Sequence, residues 1–158
     1  MKKPTYISCL LSSHMSERII LVPSYLAHQD ESFIFISSAS ECNKCKHRPA
    51  CVEGLMPGRV YRIIEVREKT FECSVHGEVK PVKITMSDLR AALPEKIAIE
   101  GALVNFPSIK CNDMRKRMYD LCNPPGIKPG DRVLIKKIEG VLGEYEGERL
   151  VLCVIRPY

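Results

Sequence analysis

The sequence lacks long apolar runs, familiar catalytic motifs and a large set of aromatic residues. None of its apolar stretches approaches the roughly 20 residues that a transmembrane helix needs, which excludes a membrane-spanning helix. There is no glycine-rich phosphate loop, no G-x-S-x-G elbow and no H-E-x-x-H motif, so the sites built on those motifs are excluded. Aromatic residues form only 6% of the chain, which leaves few rings to stack on nucleic-acid bases. These absences favour a binding protein over an enzyme.

The composition is that of a soluble globular protein. The 158 residues suffice for one domain or two small ones, and 45% are hydrophobic while 27% are charged. The net charge of +5 is modest and identifies no partner by itself. Glutamine occurs once, at Gln29, whereas Glu, Lys and Arg are abundant, a bias that weakly indicates a thermophile.

The N-terminal segment resembles a signal peptide only superficially. Lys2 and Lys3 precede a short apolar stretch, but serines and His14 interrupt it, so we expect no export and a cytoplasmic protein. Met15 begins a stretch that runs directly into an apolar strand. We therefore expect residues 1–14 to be a mis-started or disordered extension. N-terminal mass spectrometry of native protein that begins at the first residue would refute this.

Eight cysteines in a chain without a secretory signal indicate metal binding in preference to disulfides. Three of them, Cys42, Cys45 and Cys51, form a C-x2-C-x5-C knuckle. Thiolates at this spacing can bind one metal ion or adjacent corners of one cluster. Because the cytosol of hyperthermophiles does contain disulfides, a bond between Cys111 and Cys122 stays open as an alternative for that pair.

Three thiolates need a fourth ligand, and Cys73 is the strongest candidate. A hairpin turn at His76-Gly77 can bring the end of the preceding strand, which carries Cys73, back beside the knuckle. His76 is a less favoured ligand, because lone histidines are more often surface or packing residues. Cys111 and Cys122 are less favoured as well.

The spacing favours a [4Fe–4S] cluster, with zinc as the alternative. Zinc usually takes its thiolates as two short pairs. C-x2-C-x5-C with a distant cysteine instead resembles the ligand spacing of cluster-bearing recombination and CRISPR-adaptation nucleases and of auxiliary domains in radical-SAM enzymes. We expect a mainly structural centre that fastens loops which a small core cannot hold. The alternative is a redox or sulfur-handling accessory protein in which the cluster itself works.

A duplicated segment organises the chain. Residues 55–66 align without a gap with residues 127–138, at an offset of 130 − 58 = 72 between their Pro-Gly turns. Each turn leads into a strand. The apolar alternation slips by one residue between Ile63 and Val66, and again at the same place in the second copy. Both strands are therefore expected to bulge there.

The cysteine knuckle is duplicated only in part. Cys122 lies eight residues before the second Pro-Gly glycine, much as Cys51 lies seven before the first. The positions that correspond to the other two knuckle cysteines hold Asp113 and Lys116. A second metal site is therefore not expected.

The strand pattern predicts a mainly β (α+β) fold of two related small β-barrel or β-hairpin units, each preceded by a cysteine knuckle, with one or two short helices. The first unit is expected over residues 15–84 and the second over residues 111–158. Residues 85–110 are predicted to connect them. A capping-box signal there predicts a helix over Thr85–Leu93, and a strand is predicted over Ile97–Ile99.

Cations are concentrated in the two repeats. One group crowds the first knuckle, and a second lies in the matching place on the outer face of a helix predicted over residues 113–122. Such clusters beside small β units suit a phosphate backbone, so we expect RNA or a ribonucleoprotein as partner, with a merely solvated surface as the alternative. The candidate nucleic-acid-binding residues are Lys44, Lys46, Arg48, Arg115, Lys116 and Arg117.

Several motifs together suggest a family. They are the cysteine knuckle, the Pro57-Gly58 turn with its strand, Cys73-x2-His76, Ala98-Ile99-Glu100-Gly101-Ala102, and Leu121-Cys122 ahead of Gly130-Asp131-Arg132-Val133. With them, the chain from Met15 onward resembles uncharacterised protein family 0179, a set of small archaeal proteins. The resemblance transfers no activity. Family members often carry a further cysteine near Lys116, and its absence here agrees with a lost second site. Residues 1–14 have no counterpart in the family, which supports the start at Met15.

Overall fold

The computed structural model describes residues 17–110 and 115–158. The expected extension over residues 1–14, the alternative ligand Cys111 and the position Asp113 lie outside the described residues. The chain divides into two compact units, the first ending at Ser87 and the second spanning Asp88–Tyr158. Both consist mainly of strands with short helices, which confirms the predicted fold class.

The first unit is an antiparallel sheet with a short helical segment. Its elements are β1 (Arg18–Pro23), β2 (Ser32–Ile34), a 3-10 turn (Ser40–Lys44), α1 (Arg48–Cys51), β3 (Val60–Val66), β4 (Phe71–Cys73) and β5 (Gly77–Met86). The sheet order is β1-β5-β3-β2, and β4 also pairs with β5. The 3-10 turn and α1, which carry the knuckle, therefore lie between the edge strand β2 and the inner strand β3 along the chain.

The second unit repeats the order of strands and α-helix, but its 3-10 turn follows the first strand instead of the second. Its elements are β6 (Leu89–Pro94), a 3-10 turn (Glu95–Ile97), β7 (Leu103–Asn105), α2 (Lys116–Cys122), β8 (Arg132–Tyr145) and β9 (Glu148–Pro157). The sheet order is β6-β9-β8-β7. The last part of β8 takes the place of the separate strand β4. No helix in the described parts of the chain combines the length and apolar character needed to cross a bilayer.

The two sheets repeat one pairing register. Arg18 of β1 lies opposite Ile84 of β5, and Leu89 of β6 lies opposite Ile155 of β9, so both strands are displaced by 71 residues (89 − 18 and 155 − 84). The pair β2–β3 matches β7–β8 with displacements of 71 and 72 residues (104 − 33 and 133 − 61). The duplication seen in one strand of the sequence therefore extends to every strand pair of the sheet.

β3 and β8 both bulge at the predicted place. The register against the neighbouring strand shifts between Ile63 and Glu65, and between Ile135 and Lys137. Ile63 and Ile135 are fully buried. An extra residue after each lets the next apolar side chain of the strand return to the core side. The slip in the apolar alternation is thus the sequence signature of the bulge.

The helix predicted over Thr85–Leu93 is wrong, because β5 continues to Met86 and β6 begins at Leu89. β6 pairs with β9 along its whole length, and its Ala91 and Ala92 are fully buried. Pairing in the sheet outweighs a local capping signal. The strand predicted over Ile97–Ile99 is also wrong, since residue 97 ends a 3-10 turn.

Asp88 contributed to the capping signal that predicted this helix. In the structure it instead binds residues of two strands of the second unit, β8 and β9. Its carboxylate accepts hydrogen bonds from Arg156 Nε at 2.6 Å and from Lys136 Nζ at 3.0 Å. Burial raises the pKa of this carboxyl, but the hydrogen bonds and charges of Arg156 and Lys136 outweigh burial and hold it below its ordinary value. Asp88 is therefore charged in the folded protein wherever the medium is not strongly acidic.

Each unit has a core of its own. In the first, the bulged strand and β5 contribute the fully buried Ile63, Val82 and Ile84. The second unit has two clusters. One lies around the bulge in β8, and the other lies under α2 and is formed by Ala92, Met118, Cys122 and Leu150.

Candidate metal centre

The four thiols predicted as ligands lie in the first unit and line one cavity. Cys42 lies in the 3-10 turn, Cys45 follows that turn, Cys51 ends α1 and Cys73 ends β4. The cavity has a volume of about 340 Å³. All four side chains are free thiols and partly buried. Two separate parts of the chain, the knuckle and the β4–β5 hairpin, therefore supply one thiol-lined space.

Tight backbone turns give the knuckle its shape. The Cys45 N–H donates to the Cys42 carbonyl at 3.2 Å, and the Arg48 N–H donates to the Cys45 carbonyl at 3.2 Å. Pro49 then stands in the first turn of α1, where its missing N–H costs no hydrogen bond. Successive turns of this kind leave the three knuckle thiols on the wall of the same cavity.

Cys51 shows how close the thiols are to one another. Burial raises the pKa of the Cys51 thiol, and a backbone hydrogen bond with Leu21 lowers it. Negative charge on Cys45, Cys73 and Cys42 raises this pKa further, and the net shift is upward. All three other thiols are thus near enough to Cys51 to act on its charge. Four thiolates together are unfavourable unless a cation neutralises them.

His47 links the knuckle to the hairpin. Its backbone N–H donates to Cys45 Sγ at 3.4 Å, the kind of bond that steadies a thiolate. Its ring meets the Phe71 ring edge-on at 5.6 Å between centroids. Because Phe71 lies two residues before Cys73, this contact helps to hold the fourth thiol beside the other three.

Arg48 places a positive charge in the wall of the same cavity. Its Nη1 donates to Glu53 Oε1 at 3.2 Å, but its Nε is buried and has no hydrogen-bond partner in the described part of the chain. A buried donor without a partner is costly. An anionic occupant of the cavity would supply the missing acceptor.

The less favoured ligands are placed differently. His76 is exposed at the cavity mouth. Cys122 lies in the second unit and is disulfide-bonded, and the proposed partner Cys111 is outside the described residues. Within residues 17–110 and 115–158, no group of three or more His, Cys, Asp or Glu side chains is arranged to hold a single metal ion.

The second unit fills the equivalent place with apolar side chains. By strand register, Tyr145 opposite Glu148 corresponds to Cys73 opposite Gly77, and Cys122 at the end of α2 corresponds to Cys51. Tyr145 packs against the cluster that contains Met118 and Cys122. The same place in the fold therefore holds packed apolar side chains in the second unit and a thiol-lined cavity in the first.

The candidate nucleic-acid-binding cations are mostly unpaired. Arg48 bonds Glu53, whereas Lys44, Lys46, Arg115, Lys116 and Arg117 are exposed and form no ion pair with any residue that the structure describes. Cations elsewhere commonly do, as in Arg62–Asp30 and Lys83–Glu65. The two predicted groups therefore keep their charge available to an external anion.

Sequence reasoning missed Tyr145 and the cavity-facing role of Arg48. Tyr145 stands among glycines and glutamates, a pattern typical of an exposed loop. Only the register of β8 against β9 shows that it occupies the place of a cysteine. Arg48 follows Lys44 and Lys46 closely in the sequence, and this pattern predicts a surface cation.

The sequence is similar to known archaeal proteins along most of its length. The model of a family described as Uncharacterised protein family (UPF0179) matches residues 18–153. A UPF0179 protein of Methanocaldococcus jannaschii is 36% identical over 122 residues, which cover 77% of this chain and 81% of the relative. Similar proteins occur in Methanothermobacter thermautotrophicus (34% identity; 88% and 97% covered) and Thermococcus onnurineus (35%; 81% and 84%). No solved structure matches.

Proposed function

The chain belongs to the archaeal protein family UPF0179, and for this member we propose a metal-stapled binding module. In it, Cys42, Cys45, Cys51 and Cys73 hold an iron-sulfur cluster that is mainly structural, and the unpaired cations bind RNA or a ribonucleoprotein. One observation carries the proposal: the cavity lined by four thiols occupies the place that apolar side chains fill in the second unit.

A structural role follows from what the knuckle lacks. Neither the 3-10 turn nor α1 has a buried side chain, whereas α2 of the second unit buries Met118 and Cys122. The two helical elements of the knuckle thus add no fully buried side chain to the core of the sheet. Ligand bonds to a shared centre would supply the attachment, as metals do in small domains whose cores are insufficient.

The cavity suits a cluster better than a zinc ion. Zn–S bonds of about 2.3 Å in a tetrahedral site draw the four sulfur atoms to about 3.8 Å from one another. The thiols instead line a cavity of about 340 Å³, which is far larger than the space inside one such tetrahedron. A cluster has four corners and tolerates wider separation of its thiolates. Its net negative charge would also pair with the buried Nε of Arg48.

Anaerobic purification tests the centre. We expect a brown protein with iron and acid-labile sulfide, and with protected amides in residues 40–54. Chelation of the iron should abolish that protection while β6 and β9 of the second unit keep theirs. A colourless protein with stoichiometric zinc would show that the centre binds zinc and not a cluster. A protein without metal and with four free thiols would refute the centre.

RNA binding needs charge-reversal variants with a matched control. We expect K44E/K46E and R115E/R117E each to weaken binding to total RNA at low salt by about tenfold or more, because phosphate contacts dominate such affinity. The control, R62E/K83E, reverses the same number of charges at ion-paired positions and should have a smaller effect. Equal losses in all three would indicate bulk charge alone, and no binding by the parent protein would refute an RNA partner.

A redox role is the second candidate, and Arg48 is the observation that favours it. A cation in the cavity wall, such as Arg48 with its buried Nε, stabilises the more reduced, more negative state of a cluster and so raises its potential. Reversible spectral change with dithionite and air would support a working cluster. A spectrum that neither reagent changes would eliminate this candidate and leave the structural one.

A further inference from the structure

Among the residues that the structure describes, β2 forms an open edge of the first sheet. The Phe35 N–H donates to the Arg59 carbonyl at 3.1 Å, and the Ile63 N–H donates to the Glu31 carbonyl at 2.8 Å. Odd-numbered residues of this segment therefore bond to β3. In an antiparallel ladder the residues between them direct N–H and C=O to the opposite side. On the free side of β2 these residues are Ser32, Ile34 and Ile36.

The side chains along this edge are aliphatic and exposed. Ile34 is 48% exposed and Ile36 is 75% exposed. Tyr25, which is 78% exposed, lines the mouth of the same cavity as both isoleucines. None of the three carries a charge. A free edge with uncharged apolar side chains is a template for pairing with another strand.

The second unit provides an internal comparison. By register, Ile34 corresponds to Asn105, and two residues further on Ile36 corresponds to Pro107. Natural proteins protect edge strands with polar residues and with proline, which cannot donate to a ladder. Tyr25 likewise has Lys96 as its counterpart, 71 residues later (96 − 25). No described residue of the first unit protects the corresponding edge in this way, which indicates that something else covers it.

We propose that the β2 edge pairs with the β2 edge of a second copy of this chain. Two identical strands in antiparallel pairing obey a two-fold axis, the commonest symmetry of oligomers. Centred on Ile34, the pairing sets Ser32 of each copy opposite Ile36 of the other. The absence of charge on this edge matters because like charges brought together by the axis would repel. Apolar side chains are also what homodimer interfaces bury.

The dimer has a consequence for the cavity. Ile34 and Ile36 belong to its lining, so the added strand covers part of its mouth and limits the access of solvent to the thiols. The proposal does not depend on what the thiols bind. A short strand pair buries little surface, and such interfaces are weak. We therefore expect a dissociation constant on the order of micromolar to tens of micromolar.

Sedimentation of the full chain tests the proposal over about 1–100 μM protein, a range that spans the expected dissociation constant. The parent protein should pass from monomer to dimer. The variant I34N/I36P, which copies the protected edge of the second unit, should raise the dissociation constant by at least about tenfold. I34K, which permits strand geometry but adds charge, should do the same if both variants retain the parent circular dichroism.

The control is I19R on β1, at the opposite edge of the sheet. Ile19 is 37% exposed and has Arg90 as its counterpart in the second unit, so the change also copies the second unit. It should leave the dimer intact. A parent protein that stays monomeric, or a dimer that I19R disrupts and I34N/I36P does not, would overturn the proposal.

Hydrogen exchange identifies any other occupant of the edge. The amides of Ile34 and Ile36 should become protected as protein concentration rises. Protection that is already complete in the monomer would mean that another part of the same chain covers β2. Protection only in the presence of a different protein would assign the edge to that protein. Either result would overturn self-pairing.

Discussion

Cys73 and Tyr145 occupy the same place in the two units. Cys73 lies opposite Gly77 at the end of β4, and Tyr145 lies opposite Glu148 at the end of β8. One lines a cavity with three other thiols, and the other packs on the apolar cluster beneath α2. In the function proposed above, a helical segment is held against a sheet by thiol ligands in the first unit, and in the second unit this is done by apolar packing.

The first prediction compares two cysteines of the chain. C73S should lose at least half of the bound iron, because a hydroxyl is a poor replacement for a thiolate ligand. C153A removes a thiol that lies in the core of the second unit and does not line the cavity, and it should keep the full iron content. Iron and sulfide are measured per folded chain after anaerobic purification. Equal iron in both variants would contradict the assignment of Cys73.

The second prediction concerns thiol reactivity. Burial, together with the charge of Glu100, raises the pKa of Cys153 to about 11, so at pH 8 about one in a thousand Cys153 side chains is a thiolate. In chelator-treated native protein, iodoacetamide should modify the four cavity thiols and spare Cys153. Peptide mass spectrometry reads each site. Rapid modification of Cys153 would show that the second core opens.

The third prediction uses the two bulged strands. I63A and I135A should each reduce the free energy of unfolding by about 2–5 kcal/mol, because both side chains are fully buried and leave a cavity when truncated. I99A, at a site that is 64% exposed, should change it by less than about 0.5 kcal/mol. Urea unfolding measures all three. Similar losses at Ile63 and Ile135 are expected from their matching positions, and a neutral I135A would contradict the shared register.

The fourth prediction is a pH dependence at Asp88. Because its folded-state pKa lies below the ordinary value, its bonds to Arg156 and Lys136 stabilise the second unit fully above about pH 4. That contribution is lost as the pH falls through the lowered folded-state pKa. D88N should therefore be less stable than the parent by up to about 1 kcal/mol at pH 7, a value limited by partial exposure.

The difference between D88N and the parent protein should vanish in strong acid. Urea unfolding of both metal-free proteins at pH 7 and at about pH 2, below the ordinary carboxyl pKa, makes the comparison. A difference that is the same at both pH values would mean that the introduced amide disturbs packing and that the charge of Asp88 contributes nothing.

Local sequence signals predicted most of the first unit. The Pro-Gly turn, the slip in alternation after Ile63 and the hairpin before Gly77 each act over a few residues, and the structure confirms the strands and the bulge that they imply. The hairpin signal also predicted that Cys73 lies beside the three knuckle cysteines. The structure then places all four thiols around one cavity.

Long-range pairing explains what the sequence could not predict. Leu89–Pro94 follows a capping signal, yet it forms β6 because β9 offers a full set of backbone partners. Tyr145 lies between polar residues and packs against a core cluster only through the register of β8 and β9. The protected edge at Asn105 and Pro107 acquires its meaning only beside its unprotected counterpart. Each of these features depends on residues that are far apart in the sequence.

An anomalous difference map at the iron absorption edge tests the central claim most directly. Crystals of anaerobically purified protein should show one strong peak within the cavity, within bonding distance of Cys42, Cys45, Cys51 and Cys73. A map with no iron peak there, or with a peak only at the zinc edge, would contradict an iron-sulfur staple in the first unit.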